Sequence, residues 1–260
     1  MRRSPAPRPD APRATTARRS AGGFTLVELV VCMGVIAVLC GILLPSLRTT
    51  RESASRIRCG SNQRQIGVAL SAYADTHGSL PYSNVIDPLA GPVRPGELMA
   101  SRMNSFSGGE WQGLGRLEAY LGRSCECMYC PSHRGRHTAE AYAERLRNPG
   151  NEPIYTNYHY CGHVQHWRDP SDPMHNAPTR LDAGRDVILL TDGLRTLEDF
   201  NHGTGLNQLF GDLSVEWYRD SEVPSESIRS ILPSGEIQAT IDGSAISAAW
   251  SRLTTASAGR

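Results

Sequence analysis

Residues 22–47 read GGFTLVELVVCMGVIAVLCGILLPSL, and this stretch decides the architecture of the chain. From Leu29 to Leu44 it contains no charged or strongly polar side chain. Extended to Phe24 and Leu47, the segment as a helix spans about 36 Å at about 1.5 Å per residue. That length exceeds the roughly 30 Å hydrocarbon core of a bilayer. The stretch therefore predicts one membrane-spanning helix with a single acidic residue, Glu28, near its start.

The charge of the chain is distributed unevenly around this helix. Residues 1–23 contain six of the 27 basic residues and one of the 26 acidic residues, a net charge of +5, which leaves −4 for the rest of the chain. By the positive-inside rule, residues 1–23 should stay in the cytoplasm and the body of the chain should be exported. A mildly acidic body argues against nucleic acid as a partner, because phosphate binding needs clustered positive charge.

Three kinds of N-terminal segment share this layout. A cleaved signal peptide needs small residues at a site after the apolar run, and LLPSL is a poor match. A lipoprotein signal would use Cys40, but AVLC lacks the small residue required before the cysteine. The string G-F-T-L-V-E at 23–28, behind a basic leader and ahead of an apolar helix, closely resembles the type IV prepilin cleavage and methylation signal.

The resemblance implies a role for each end of that string. Cleavage would fall between Gly23 and Phe24, the new amino group of Phe24 would be N-methylated, and Glu28 would become the fifth mature residue. In pilin-like filaments this glutamate faces the amino terminus of a neighbouring subunit and sets the register of assembly. A carboxylate inside a membrane helix costs on the order of 2.5–3.5 kcal/mol, so a charged partner accounts for its presence. The alternative is a glutamate at the membrane interface that reaches water.

The implied function is a prepilin-like subunit, assembled into a type II secretion pseudopilus or a type IV pilus-like filament. Its partners would be prepilin peptidase/N-methyltransferase, other pilin-like subunits, the inner-membrane assembly platform and the lipid bilayer. The resemblance places it in the inner membrane as a single-pass protein, with a periplasmic or filament-borne head. The rival is a signal-anchored extracytoplasmic protein that binds a metal or ligand and does not polymerise.

The rest of the sequence predicts an α+β head. Apolar residues recur at spacings of three, four and seven through residues 48–78, so the spanning helix should continue as an amphipathic half to about residue 76. TAEAYAERLR at 138–147 predicts a helix, and DVILLTDG at 186–193 predicts a strand. LNQLF at 206–210 and SVEWY at 214–218 read as the arms of a hairpin. The fold class is a long N-terminal helix packed on an antiparallel sheet, as in pilins.

These elements give a division of the chain into five parts. They are a basic leader at 1–23, a transmembrane or filament-core helix at 24–47, the amphipathic half of the same helix at 48–78, a globular head at 79–220, and a C-terminal extension at 221–260. We expect the extension to contain one strand, EIQATI at 236–241, and to be partly disordered.

Five of the seven cysteines follow the apolar helix, at positions 59, 125, 127, 130 and 161. The segment CECMYCPSHRGRH offers soft ligands that suit Zn²⁺, namely Cys125, Cys127, Cys130, His133 and His137. In an exported protein the same cysteines can instead form disulfides or remain thiols. We favour a disulfide over a metal site, and we predict Cys130–Cys161, because Cys161 lies in a Tyr-rich segment that should cross the same head.

Catalysis has little support, since a nucleophile elbow, a phosphate-binding loop and an HExxH string are all absent from the sequence. No catalytic residue and no cofactor is predicted. Asp192, His202 and Asp212 could together bind a cation at one end of the sheet, but residues of these types in turns more often bond local backbone N–H groups.

A weaker resemblance to bacterial prepilin-like proteins extends along the chain. It covers RCGSNQRQIGVALSAYADTHGSLP at 58–81, Cys-Pro-Ser at 130–132 and NYHYCGH at 157–163. The group also has a motif of His, nine residues and Asp-Gly, which His202 and Asp212 match, although Leu213 stands in the glycine position. That departure argues against a tight Asp-Gly turn. We predict that Gly211 supplies any positive φ, that Asp212 accepts local N–H bonds, and that His202 and Asp212 do not share a metal.

Overall fold

The computed structural model describes residues 24–82, 111–122, 125–148, 150, 152–162, 180–181, 184–234 and 244–258. The basic leader at 1–23 and the predicted strand at 236–241 lie outside these ranges. The chain forms two compact units, Met1–Arg48 and Thr49–Arg260. Helix α1, Leu26–His77, begins in the first unit and ends in the second. The long helix predicted from the sequence is therefore confirmed.

Within the first unit, α1 exposes apolar side chains on all sides. The consecutive residues Leu29, Val30 and Val31, which point in three different directions around the helix, keep 55%, 59% and 58% of their surface accessible. A helix that is apolar all round, rather than along one stripe, is suited to a hydrocarbon or protein environment.

Within the second unit, α1 buries a single stripe of side chains. Cys59, Gln63, Ile66, Leu70 and Tyr73 follow one another at intervals of four, three, four and three residues, and each is at most 6% exposed. This spacing keeps all five on one helix face. Glycine lets that face approach the sheet closely: a Cβ added at Gly67 would lie 3.1 Å from Leu209 Cδ1.

The sheet has four antiparallel strands in the order β1–β2–β3–β4. They are β1 Tyr158–Tyr160, β2 Ile188–Asp192, β3 Gly205–Phe210 and β4 Val215–Arg219. The predicted strand at 186–193 and the predicted hairpin are confirmed, and so is the α+β class. The short strand β1 is an addition that sequence patterning does not predict.

Both faces of the sheet are covered, as strand β3 illustrates. All six of its residues are buried. Leu209 belongs to the core cluster that contains the α1 stripe, whereas Leu206 and Phe210 belong to a second cluster. Because alternate side chains of a strand point to opposite faces, the two clusters lie on opposite faces of the sheet.

The second cluster also contains residues from the C-terminal part of the chain, so the described part of the expected extension at 221–260 packs against the sheet. Helix α4, Ser244–Ala258, contributes Ala249, Trp250 and Leu253, and Trp250 is only 1% exposed. Ile228 and Leu232 belong to the same cluster. Small and polar residues dominate this region, so composition hides the three side chains that form its buried strip.

Short helices complete the head on the α1 side. A 3₁₀ helix, Gly113–Leu117, leads directly into α2, Glu118–Leu121, and a second 3₁₀ helix covers Cys125–Met128. Helix α3, Ala139–Arg147, matches the predicted helix. Its N-cap is Thr138, whose hydroxyl accepts the Ala141 N–H at 3.2 Å.

The β3–β4 turn differs from the prediction at one residue. Leu213, not Gly211, adopts a positive φ of 66°, so a tight turn forms although glycine is missing from the motif. Gly211 is required for another reason: a Cβ there would lie 2.5 Å from the Gly184 carbonyl oxygen. Asp212 accepts hydrogen bonds from the Ser214 N–H at 2.9 Å and the Ser214 hydroxyl at 2.6 Å, as expected of a turn aspartate.

Candidate functional site

The start of α1 is organised by Thr25 and Glu28. Glu28 Oε2 accepts hydrogen bonds from the Thr25 N–H and the Thr25 hydroxyl, both at 2.8 Å, and the Glu28 N–H donates to Thr25 Oγ1 at 3.2 Å. This reciprocal pattern is a capping box, which satisfies two backbone N–H groups at the helix start. The T-x-x-E signal for this capping box is present in the sequence at residues 25–28.

The residues around the capping box are exposed and apolar. Phe24 is 81% exposed and Leu26 is 79% exposed. Gly23, the residue on the other side of the predicted cleavage site, lies outside the described residues. Among the described helices, α1 is long and apolar enough to cross a membrane, by length and composition. A single N-terminal apolar helix of this kind fits a membrane anchor.

The five Cys and His residues predicted as weak metal candidates do not form one group in the described part of the chain. Cys130 is in a disulfide, His133 Nδ1 donates to Asn201 Oδ1 at 2.8 Å, and His137 Nδ1 lies 2.5 Å from the Tyr142 hydroxyl. Burial raises the pKa of the Cys125 thiol to about 11, and the nearby Glu118 carboxylate adds to that rise. Burial likewise raises the pKa of the Cys127 thiol to about 11, with a smaller contribution from Cys125. Both are therefore thiols at neutral pH.

The disulfide joins Cys59 of α1 to Cys130, with a Cα–Cα distance of 5.3 Å. The predicted Cys130–Cys161 pair is wrong for a topological reason. Cys130 lies in the cluster on the α1 face of the sheet, whereas Cys161 lies in the cluster on the opposite face. Closing a loop across the sequence separation of 71 residues stabilises the fold by about 4 kcal/mol in the chain-entropy description.

A line of three titratable side chains runs beside this disulfide. His202 Nδ1 donates to Glu52 Oε1 at 2.6 Å, and His202 Nε2 lies 3.6 Å from Asp192 Oδ2 and 3.4 Å from Cys130 Sγ. The His202 and Asp192 side chains are each 1% exposed, whereas that of Glu52 is 43% exposed. The imidazole therefore connects a buried carboxylate to one that reaches solvent.

Asp192, at the end of β2, is held by amide donors. Its Oδ2 accepts from the Asn207 backbone N–H at 2.6 Å and side-chain amide at 3.0 Å, and its Oδ1 accepts from Gln63 Nε2 at 3.1 Å. Burial raises the pKa of the Asp192 carboxyl, and the neighbouring His202 and these hydrogen bonds partly offset that rise. Helix α1, β2, β3 and the loop before β3 thus all contribute to one buried polar site.

The structure brings together two of the three residues considered for a cation, Asp192 and His202. Asp212 does not join them, because its Oδ1 accepts hydrogen bonds from the Ser214 N–H and hydroxyl within the β3–β4 turn. Cys59 and Glu52 complete the site, and neither was predicted from the sequence as a site residue. The signal that could have found Cys59 is its heptad-like spacing from Ile66 and Tyr73, which places it on the buried face of α1.

A second buried polar network surrounds Asp199. Arg195 Nε and the Thr196 hydroxyl each donate to Asp199 Oδ2 at 3.1 Å, and His133 Nε2 lies 3.9 Å from Oδ1. Nearby, His159 Nδ1 accepts the Leu194 N–H at 2.8 Å. Burial, with a contribution from Arg195, lowers the pKa of His159 to about 3. The ring is therefore neutral at physiological pH.

The first half of α1 is apolar and exposed, has an acidic residue in its first turn, and follows a basic segment of sequence, a combination that resembles prepilin-like proteins. Family comparison agrees with that class. Residues 18–44 match the family described as prokaryotic N-terminal methylation motif, and residues 48–111 match the family described as protein of unknown function (DUF1559). These matches are consistent with a type IV prepilin-like protein, and the methylation motif supports a pilin- or pseudopilin-like subunit. Comparison with curated proteins and with solved structures gives no match.

Proposed function

We propose that prepilin peptidase cuts this chain between Gly23 and Phe24, methylates the new amine, and releases a subunit for a type II secretion pseudopilus or a type IV pilus-like filament. The observation that carries the proposal is the exposed apolar half of α1, which starts at Leu26, shortly after that bond, and contains one acidic residue, Glu28. In this proposal residues 1–23 face the cytoplasm before cleavage, and the head is exported. The chain then acts as a structural subunit and not as an enzyme.

Glu28 has two successive partners in this proposal. In the uncleaved chain its carboxylate bonds Thr25 in the capping box. In the filament it accepts the cationic, methylated amine of a neighbouring subunit. Two unit charges 4 Å apart attract by about 4 kcal/mol at an effective dielectric constant of 20. That attraction exceeds the insertion cost of about 2.5–3.5 kcal/mol, so it can set the register of stacked subunits.

The first test is mass spectrometry of the N-terminal peptide of the native protein, isolated from membranes. We expect a peptide that begins at Phe24 and carries one extra methyl group. The control is the same protein from cells that lack prepilin peptidase activity, which should keep residues 1–23. An N-terminus at Met1 in normal cells would instead support the signal-anchored rival.

The second test separates the charge of Glu28 from its capping role. Glu28→Gln keeps a side chain that can complete a capping box but removes the charge, whereas Glu28→Ala removes both. We expect both variants to insert in the membrane, measured by carbonate extraction, and both to lose filament assembly, measured by electron microscopy and shearing. Asp75→Asn, an exposed acidic residue of the second half of α1, is the control and should assemble normally. Normal assembly of Glu28→Gln would mean that capping, not charge pairing, explains the glutamate.

A further inference from the structure

The Cys59–Cys130 disulfide lies within a set of four side chains that the proposed filament function does not use. The two Sγ atoms, one carboxylate oxygen of Asp192 and one ring nitrogen of His202 all lie within 4.8 Å of one another, and all four residues are buried. When the disulfide is reduced, the same set presents two thiols, an imidazole and a carboxylate to one point. We infer that the reduced chain binds one Zn²⁺ ion through Cys59, Cys130, Asp192 and His202.

The donor set matches the coordination chemistry of zinc. Zn²⁺ takes four ligands in a tetrahedron, with Zn–S near 2.3 Å, Zn–N near 2.0–2.1 Å and Zn–O near 2.0–2.2 Å. Ligand atoms at these bond lengths are about 3.3–3.8 Å apart. The four atoms, already within 4.8 Å of one another, need only small side-chain adjustments to reach that geometry once the sulfurs separate.

The surrounding hydrogen bonds are those of a supported metal site. His202 donates through Nδ1 to Glu52 at 2.6 Å, which directs Nε2 toward Cys130 and Asp192. Metal-binding histidines are typically oriented by a carboxylate on the other ring nitrogen. Asp192 accepts three hydrogen bonds from Asn207 and Gln63, and a carboxylate has about four acceptor positions, so one remains for the metal.

Zinc and the disulfide are alternative states of the same two sulfurs. In a newly exported chain the cysteines are thiols, and zinc displaces two thiol protons to solvent as two Zn–S bonds form. In the oxidised chain a dithiol reductant must act first. Its two sulfurs become joined in a new disulfide, and the two electrons and two protons that it gives up convert Cys59 and Cys130 to thiols. Either state joins α1 to the Cys-Pro-Ser segment.

The experiment uses the full chain in detergent. Because Cys59 and Cys130 are buried, the chain is unfolded in denaturant with a dithiol reductant and refolded with Zn²⁺ or with a chelator. We expect one zinc per reduced chain by elemental analysis and none at this site in the oxidised chain. Refolding with Co²⁺ should give the spectrum of a tetrahedral site with two thiolates.

Matched variants locate the ion. Cys59→Ser and His202→Gln each remove one ligand and should lower zinc affinity by about 100-fold, and Cys59→Ser should also halve the thiolate-to-cobalt band. Glu52→Gln removes no zinc ligand but weakens the support of His202, and should lower affinity by about tenfold. The control is Cys125→Ser combined with Cys127→Ser, which removes the cysteines of the other candidate cluster and should leave zinc binding unchanged. Circular dichroism of each refolded variant shows whether it is folded.

Three results would overturn the inference. The first is that the reduced wild-type chain takes up no zinc at micromolar free metal, whether or not it refolds. The second is that the oxidised chain binds as much zinc as the reduced chain. The third is that binding survives Cys59→Ser and His202→Gln but disappears in the Cys125/Cys127 control. The first result needs no variant, so the test does not depend on the folding of any substitution.

Discussion

The first half of α1, residues 26–47, exposes its side chains, whereas the second half, from Thr49 to His77, buries one face against the sheet of its own chain. Both halves are regular helix. The two halves differ in sequence: apolar residues surround the first half, whereas in the second half they form one stripe among polar and charged residues. The comparison teaches that the second half takes its stability from packing on the sheet, while the first half leaves its apolar side chains uncovered by its own chain.

Truncating one leucine in each half gives the largest expected contrast. Leu70 is fully buried, so Leu70→Ala should lower the free energy of unfolding of the head by about 3 kcal/mol. Leu39 is 54% exposed, and Leu39→Ala should leave that free energy unchanged. Urea unfolding of the full chain in detergent, followed by tryptophan fluorescence, measures both. Equal losses would show that the two halves do not differ in the way described.

A change of pH should act on the head and give an effect of intermediate size. The pKa of His159 is lowered to about 3 in the folded chain, against an ordinary value near 6.5 in the unfolded chain. As pH falls, the imidazole is therefore protonated in the unfolded chain before it is protonated in the folded chain. The contribution of His159 to the free energy of unfolding is fully present above about pH 6.5 and is lost as pH falls toward 3. Between pH 7 and pH 5 the loss is about 2 kcal/mol for this one residue.

Comparison with His159→Gln isolates that contribution. A neutral amide can still accept the Leu194 N–H but cannot gain a proton, so the variant should lose about 2 kcal/mol less than the wild type between pH 7 and pH 5. Between pH 7 and pH 8 the two proteins should behave alike, which serves as the internal control. Parallel stability curves across the acid range would contradict the assignment.

Glycine substitutions give the smallest effect and probe how tightly each half is packed. A Cβ at Gly67 would lie 3.1 Å from Leu209 Cδ1, whereas a Cβ at Gly34 meets nothing within 4 Å. Gly67→Ala should destabilise the head by about 1 kcal/mol, because crowding in a close-packed core exceeds the gain in helix propensity. Gly34→Ala should leave head unfolding unchanged. A stabilised Gly67→Ala protein would show that Leu209 can move aside.

The elements with strong periodicity are those that the sequence predicts correctly. Helix α1 and the β3–β4 hairpin follow from spacings of three to four residues and of two residues. Strand β1 has only three residues in a Tyr-rich segment, and its pairing with β2 sets its structure. Helix α4 carries its apolar residues among alanine, serine and threonine, so neither composition nor charge marks it as part of the core.

The buried site is harder to predict than the helix start. Gly23, Phe24 and Glu28 form a contiguous string, and a local motif can be recognised without the fold. Cys59 and Cys130 are 71 residues apart, and only the packing of α1 on the sheet brings them together. Asp192 and His202 are separated by a loop whose path the sequence does not specify. Long-range proximity of this kind follows from topology, not from spacing.

Helix α4 has a consequence for the order in which the head matures. Its 15 residues are the last described element to be synthesised, yet they supply Ala249, Trp250 and Leu253 to the cluster that also contains Leu206, Phe210 and Tyr218. Until α4 arrives, one face of an already paired sheet lacks its cover, and an uncovered apolar face invites aggregation and proteolysis. Synthesis of α4 therefore marks the moment at which both faces of the sheet can be covered.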